Sequence, residues 1–438
     1  MKYYLAIDIG ASSGRHIVCH KLGEQYITDE VHRFYNGMDE VDGHLVWNTV
    51  RLLDEIKQGI KKAFEKYKNI ESLSIDTWGV DYVLLKDNNE VLPCYAYRDI
   101  RTKAVIDKVH SIIPFETLYS KTGISFQTFN TIYQLYDDFL KKRLSGVTDF
   151  LMLPEYFMYK LTGNKLKEFT EATTTGLVNA RNKIFDSQII KALNLPSGLF
   201  DLPLSQPGAF VGNLLPDIAS YVGGQTKVIL CATHDTASAV ESIDMQENAP
   251  YISSGTWSLL GVKVIQPLTD LNSQKSDYSN EGGVGYTRYQ KNIMGLWIVQ
   301  CLRKELDNLD FSKMVELAKT SNFTEIFDVN DFRFYAPQNM TKEIMGFFQE
   351  HKKPIPQNTA DLLNSVYHSL AYSYKIAIDD LEKNVGQKYA SLYIVGGGAK
   401  NQYLNDLTQK YTQKKIIALP IEASSLGNVK IQMKSNNQ

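Results

Sequence analysis

The chain is short of the features that most readily betray a chemistry. It holds only four cysteines in 438 residues. Cys19, Cys94, Cys231 and Cys301 stand far apart with no C-x-x-C pair, which argues against a zinc site or a disulfide framework and fits a reducing compartment. Neither sign of charge is in excess. A net charge of -2 leaves no basic field for nucleic acid and no polybasic run for anionic lipid. No stretch is long and apolar enough to span a bilayer, and Asp8 cuts the opening apolar run too early for a signal peptide. The patterns G-x-x-x-x-G-K-[ST], G-x-G-x-x-G with its later acidic residue, and H-E-x-x-H are missing, which disfavours P-loop, Rossmann and zinc-hydrolase readings. A cytoplasmic protein with no nucleic-acid or membrane partner is expected.

What is present is organised around the first fifteen residues. Tyr3–Ile7 is a compact apolar strand running into Asp8-Ile9-Gly10-Ala11-Ser12-Ser13-Gly14-Arg15, and His16–Cys19 resumes as strand. This reads as a β-hairpin with a small polar turn. Successive exposed amides in such a turn form an anion-binding concavity. Asp8 offers a carboxylate to a phosphate-bound metal, directly or through water, and Arg15 adds a fixed cation. An ordinary polar turn is the competing reading.

The length predicts two domains. An amphipathic helix follows Asn48-Thr49, with Leu53, Ile56, Ile60, Phe64 and Tyr67 on its apolar face. Strand Ser72–Ile75 enters Asp76-Thr77-Trp78-Gly79-Val80-Asp81, and Tyr82–Leu85 continues as strand into a turn at Asp87–Asn89. This order of strands, helix and strands defines an α/β class. Residues near 100–225 are more helical and rich in loops. Val228–Cys231 is a buried-type strand meeting His234-Asp235-Thr236 and a small-residue helix, and the domain boundary is placed here, giving 1–231 and 232–438. The opening pattern then returns: strand Pro250–Ile252, turn Ser253–Trp257, strand Ser258–Val262. The echo suggests two related halves. Asn292 to Leu306 reads as helix. A long helix from near Thr359 buries Leu363, Val366, Leu370, Tyr374, Ala377 and Leu381 and stops at Gly386. Strand Leu392–Val395 enters Gly396-Gly397-Gly398.

Three Gly-rich turns after strands suit a nucleotide, with phosphates at the hairpins and the nucleoside at the triple glycine. Asp235 is either a helix N-cap or a general base, since phosphoryl transfer to an alcohol needs an acceptor for the hydroxyl proton. His234 is either a structural hydrogen-bonder or part of that site. Trp78 and Trp257 read first as packing and second as sugar-facing. Asp76 and Asp81 either bind sugar hydroxyls or cap turns.

The strings Asp8–Arg15, Asp76–Asp81, Ala96–Asp99, His234–Ala239, Ser253–Ser258, Asn280–Gly283, Lys291–Trp297 and Val395–Gly398 together resemble the FGGY carbohydrate kinases of the actin-like ATPase superfamily. The resemblance spans nearly the whole chain in order. It implies two ribonuclease H-like domains flanking a cleft, with sugar and phosphate on the N-terminal side, and catalytic Asp and nucleotide on the C-terminal side. It implies ATP-dependent phosphorylation of L-rhamnulose at its 1-hydroxyl with Mg2+. Asp235 matches the catalytic base. Gly79, His234, Asp235, Thr236 and Asn292 match substrate-contacting positions. Ala11, Ser12, Ser13, Gly14, Arg15, Thr256, Gln300, Gly397 and Gly398 match ATP-contacting positions; no direct metal ligand is assigned. Another ketose such as L-fuculose, or an inactive ATP-binding member, are the alternatives. The oligomeric state is open between monomer and homodimer. The late segment Pro420–Asn428 resembles the family's E-A-x-x-x-G-N helix start. A final helix shorter than in the family is expected to leave apolar surface uncovered on the second domain.

Overall fold

The computed structural model describes residues 1–245, 247–419 and 422–436. Pro420 and Ile421 of the late segment lie outside them, as do Asn437 and Gln438 of the tail. The chain forms two compact units: Met1–Asp244 with Val264–Tyr289 and Ala423–Gln438, and Met245–Lys263 with Gln290–Glu422.

The first unit is built on β1 (Tyr3–Ile9), β2 (Ser13–Leu22) and β3 (Gln25–Tyr35). β1 is buried nearly throughout because its neighbours cover both faces, as its continuous apolar run requires. Helix α1 (Thr49–Lys66) starts where the Asn48 side chain accepts the Arg51 amide, which satisfies an orphan donor of the first turn. It buries Leu52, Ile56, Ile60, Ala63 and Phe64. β4 (Ile70–Thr77) pairs parallel with β1. Helices α2 (Leu153–Thr162) and α3 (Phe169–Thr173) follow, then β5 (Phe210–Asn213), β6 (Lys227–Ile229) and α4 (Asp235–Glu241). The sheet order is β5-β6-β4-β1-β2-β3. Leu5, Ile7, Leu73 and Ile75 form its core with Ile56 and Ile60 of α1 and Phe157 of α2.

The second unit repeats the plan. β7 (Tyr251–Ser254) and β8 (Trp257–Val264) make an antiparallel hairpin. β9 (Thr287–Met294) flanks β8, and the chain enters this unit within it. Helices α5 (Trp297–Glu305) and α6 (Thr359–Val385) precede β10 (Ser391–Val395), α7 (Gln402–Thr412) and β11 (Lys415–Leu419). β7 pairs parallel with β10, and β10 with β11. Both units therefore carry an antiparallel hairpin whose first strand has a parallel neighbour. Gly386 ends α6 in the left-handed region at φ 74°, as a helix-terminating glycine does.

Three expectations change. Residues 292–294 are strand, and helix begins only at Trp297, because Gly295 lies against the backbone of the β7/β8 turn and interrupts any helix there. The first unit runs on to Asp244, past the 231/232 boundary read from the sequence, because Thr77 and His234 form a parallel bridge that extends the sheet. The C-terminal helix, Ala423–Ser435, belongs to the first unit rather than the second. There it buries Ala423, Val429 and Ile431, with Gln432 donating to the Leu5 carbonyl at 3.0 Å and accepting from Ser72 at 2.7 Å.

Candidate active site

The strand ends of the first unit converge on a row of carboxylates. Asp8 on β1 stands beside Asp76 on β4 in parallel register. The next register position, Thr77, bridges to His234, immediately before Asp235. In open α/β sheets, ligands collect outside the carboxyl ends of the strands, and these three side chains mark that edge.

The β1/β2 hairpin closes over Gly10, Ala11 and Ser12. Gly10 donates its amide to the Ser13 carbonyl at 2.9 Å. Asn36 braces the turn, donating its backbone amide to the Ser12 carbonyl at 3.1 Å and its side-chain amide to the Gly10 carbonyl at 2.9 Å. Gly14 is obligatory for packing, since a Cβ there would lie 2.1 Å from the Phe34 ring. Ser12 is exposed, and Ala11, Ser13 and Arg15 are half-buried. Arg15 donates from Nε and Nη2 to Asp8 Oδ2 at 3.0 and 2.7 Å, so the cation is oriented in advance.

Asp76 is fully buried. Its Oδ2 accepts from Asn428 Nδ2 at 2.6 Å, while Oδ1 has no partner among the described residues. Burial first and the Asp8 charge second hold its carboxyl well above the usual carboxylate range. Asp81 is saturated instead: Trp47, Trp78 and the Tyr97 amide donate to Oδ2 and Gln134 donates to Oδ1. Trp78 is thus a loop brace, its ring 4.3 Å from that of Trp47. Gly79 has to lack a side chain, because a Cβ would lie 2.8 Å from Thr174 Cγ2.

Asp235 opens α4 and keeps 27% of its side chain exposed. Burial pushes its carboxyl up to about 6, the neighbouring His234 opposes this, and Asp8 adds to it. His234 Nε2 lies 3.6 Å from Asp235 Oδ1, and Nδ1 lies 3.2 Å from Glu281 Oε2. Arg288, fully buried, organises this group. It donates to Thr236 Oγ1 at 2.7 Å, to Glu281 Oε2 at 3.1 Å and to the Gly282 carbonyl at 2.7 Å. Glu168 carries the segment from the other side, accepting the Thr233 hydroxyl at 2.7 Å and its amide at 3.2 Å.

In the second unit Thr256 sits in the exposed turn of the β7/β8 hairpin. The amides of Leu296 and Trp297 donate to the Gly255 and Thr256 carbonyls at 2.9 and 3.2 Å. Gln300 follows on α5, half-buried, and Asn292 is exposed on β9. The triple glycine touches the same hairpin: a Cβ at Gly398 would lie 1.9 Å from Ser254 Oγ, and one at Gly396 2.8 Å from the Ser254 carbonyl oxygen. Of the nucleotide-assigned positions, Ala11–Arg15 therefore cluster in one unit, and Thr256, Gln300, Gly397 and Gly398 in the other. Trp257 is 40% exposed and meets Tyr335 edge to face.

Sequence reading missed Asn36, Glu168, Arg288 and Asn428. Asn36, Glu168 and Arg288 stand in no periodic or spaced pattern, Asn428 closes the E-A-x-x-x-G-N string, and each acts through a tertiary contact. Asn280–Gly283 and the E-A-x-x-x-G-N string were the available signals. The second now has a physical content: Gly427 packs so tightly on α4 that a Cβ would lie 1.7 Å from the Ser238 carbonyl oxygen, and Asn428 reaches Asp76.

Residues 3–240 match the N-terminal domain, and residues 250–435 the C-terminal domain, of the FGGY family of carbohydrate kinases. The chain belongs to this family. Similar proteins include two named rhamnulokinase. The one from Oceanobacillus iheyensis is 41% identical, covering 99% of this chain and 93% of that protein. The one from Halalkalibacterium halodurans is 42% identical with the same coverage. Among solved structures, a ligand-bound xylulose kinase from Lactobacillus acidophilus superposes with TM-score 0.82 at 16% identity, covering 100% of this chain and 90% of that one. A Plasmodium falciparum glycerol kinase with ADP gives 0.78 at 13% identity, with 100% and 90% covered. At that identity the two structures speak for the fold, the actin-like ATPase architecture of sugar kinases. Among the described residues no helix is long and apolar enough to cross a membrane.

Proposed function

We propose that this carbohydrate kinase transfers the γ-phosphoryl group of ATP to the 1-hydroxyl of L-rhamnulose, giving L-rhamnulose 1-phosphate and ADP, with Asp235 as general base. The reading rests on the two relatives named rhamnulokinase. The structural observation that carries it is Asp235, partly exposed at the strand-end edge beside Asp8. Phosphoryl transfer asks the protein mainly for position and charge. As the sugar oxygen bonds to phosphorus, its proton passes to the Asp235 carboxylate and the bond to the ADP oxygen breaks. A carboxyl near 6 is ionised at neutral pH yet more basic than an ordinary aspartate, which suits this role.

Gly79, His234, Thr236 and Asn292 are the further proposed sugar contacts. Arg288 and Glu281 hold His234 and Thr236 in place. The amides of Ala11–Gly14 and the Arg15 guanidinium suit phosphate, as does the exposed turn at Thr256; Gln300, Gly397 and Gly398 are the remaining nucleotide positions. Mg2+ suits this donor set. Among the described residues no group of three or more His, Cys, Asp or Glu could hold a metal, and Mg2+ in kinases takes one or two carboxylates plus substrate phosphates and water. Asp8 is the carboxylate that would hold it, where it would neutralise phosphate charge. The free thiols Cys19, Cys94, Cys231 and Cys301 suit a cytoplasmic enzyme.

The test is ADP release with Mg2+ and a panel of ketoses. Release stimulated most by L-rhamnulose supports the reading. A higher kcat/KM for L-fuculose assigns the other ketose, and nucleotide binding without sugar-stimulated release overturns the kinase role.

A further inference from the structure

Several buried carboxyl groups act electrostatically on one another around Glu171, and their hydrogen-bond partners set one apart. Glu168 accepts five hydrogen bonds, from the amides of Thr170, Glu171 and Thr233 and the hydroxyls of Thr170 and Thr233. Glu155 accepts the amides of Met152 and Glu168 at 2.9 and 2.6 Å. Asp81 accepts four donors, as described above. Glu171 is equally buried, at 0% exposure, and among the described residues neither carboxyl oxygen has a partner. Leaving a buried polar group unsatisfied costs about 1–3 kcal/mol, more if charged, and such groups are few in native proteins.

The placement of Glu171 follows from its neighbours. Residues three apart on a helix share a face. Thr174, three positions on, accepts the Val80 amide at 3.0 Å and abuts Gly79. Thr170, the residue before, accepts the His234 amide through its hydroxyl. The short helical segment that carries Glu171 therefore lies between the Gly79–Asp81 loop and the His234–Asp235 segment. The charges of Asp81 and Asp235 both act on it. Burial first, then Glu155 and Glu168, hold its carboxyl well above the ordinary range.

We propose that Glu171 is a specificity-determining residue of the acceptor site, its carboxyl group being the hydrogen-bonding partner of a ketose hydroxyl other than the one phosphorylated. This rests on the acceptor site proposed above. A group with no internal partner is free to be matched by the substrate. A site built to pair a hydroxyl rejects sugars that lack it, because the buried group is then left unpaired.

The experiment compares wild type with Glu171→Met, an apolar side chain of similar length, and Glu171→Gln, which keeps a donor and an acceptor. The expected result for Glu171→Met is a KM for L-rhamnulose raised roughly 10-fold or more, with the KM for ATP within about twofold. Its Tm should be unchanged or higher, because an unpaired polar group has been removed from the interior. Glu171→Gln should recover most of the sugar affinity. Among deoxy ketoses, one lacking the contacted hydroxyl should give the same kcat/KM with wild type and Glu171→Met. A lowered Tm with unchanged KM, or equal rises in KM for sugar and ATP, overturns the assignment. If wild type phosphorylates no ketose, the kinase reading fails on its own. Calorimetric titration with L-rhamnulose then decides Glu171: binding weakened in Glu171→Met upholds it, and absent or equal binding overturns it.

Discussion

The side-chain amide of Asn428 donates to Asp76 at 2.6 Å. It ties the C-terminal helix to the strand-end carboxylates, and the same helix is seated on α4 by Gly427. Asn428→Ala should leave the buried Asp76 carboxyl without a donor and destabilise the first unit by about 1–3 kcal/mol. Urea unfolding should show a lower midpoint with an unchanged slope. An unchanged midpoint would deny the tether any energetic role.

Asp235→Asn should keep ATP binding and lose turnover, because an amide cannot take the hydroxyl proton. With Asp235 held near 6, the sign is fixed: the ionised form is active, so kcat/KM should fall tenfold per unit below about pH 6 and level off above it. Undiminished turnover in Asp235→Asn would refute the assigned base.

Gly14 and Gly295 should respond differently to alanine. At Gly14 the obstacle is the Phe34 ring, 2.1 Å away, a side chain that can be cut back. Gly14→Ala should weaken ATP binding and stability, and Phe34→Leu in the same chain should restore part of both. At Gly295 the obstacles are backbone atoms of Gly255, Trp257 and Ser258 at 2.7–2.8 Å. They have no alternative rotamer, so Gly295→Ala should displace the hairpin, raise the KM for ATP and resist rescue. Thermal unfolding and ATP titration of the three variants check this.

His16 is buried against α1, its Nε2–H donating to the Ile56 carbonyl at 3.2 Å, with Nδ1 unpartnered among the described residues. Burial first, and the neighbouring His32 second, lower its pKa from 6.5 to about 3. Below pH 6.5 the unfolded chain therefore binds a proton that the folded chain refuses. Stability should fall as pH drops from about 6.5 toward 3, by about 1.4 kcal/mol per pH unit from this group. Buried acids such as Asp81, raised to about 6 mainly by burial, slope the opposite way, losing stability as pH rises through that value. Chemical denaturation of wild type and His16→Leu across that window isolates the histidine: the variant should show the smaller acid loss, and parallel curves would refute it.

Much of the frame was legible because it is locally encoded. The Asp8–Arg15 turn shows in its glycines and hydroxyls, and the α6 face in its repeat from Leu363 to Leu381. The return of the hairpin at Ser253–Trp257 also shows. The strand at Asn292 was not legible: it is held by β8, and Gly295, which ends it, matters only through the hairpin backbone it touches. Glu168 and Glu171 look interchangeable three positions apart, yet among the described residues one collects five donors and the other none.

By itself the chain's order of residues determined the family, the two hairpins and the residue types that phosphoryl transfer requires, since these depend on local turn geometry and on motif strings carried in sequence. Only the tertiary structure decided which acids are saturated and which stand open. It also seated the C-terminal helix on the first unit and aligned Asp8, Asp76 and Asp235 along one sheet edge. Burial and donor supply are properties of distant segments brought together, and no spacing along the chain records them.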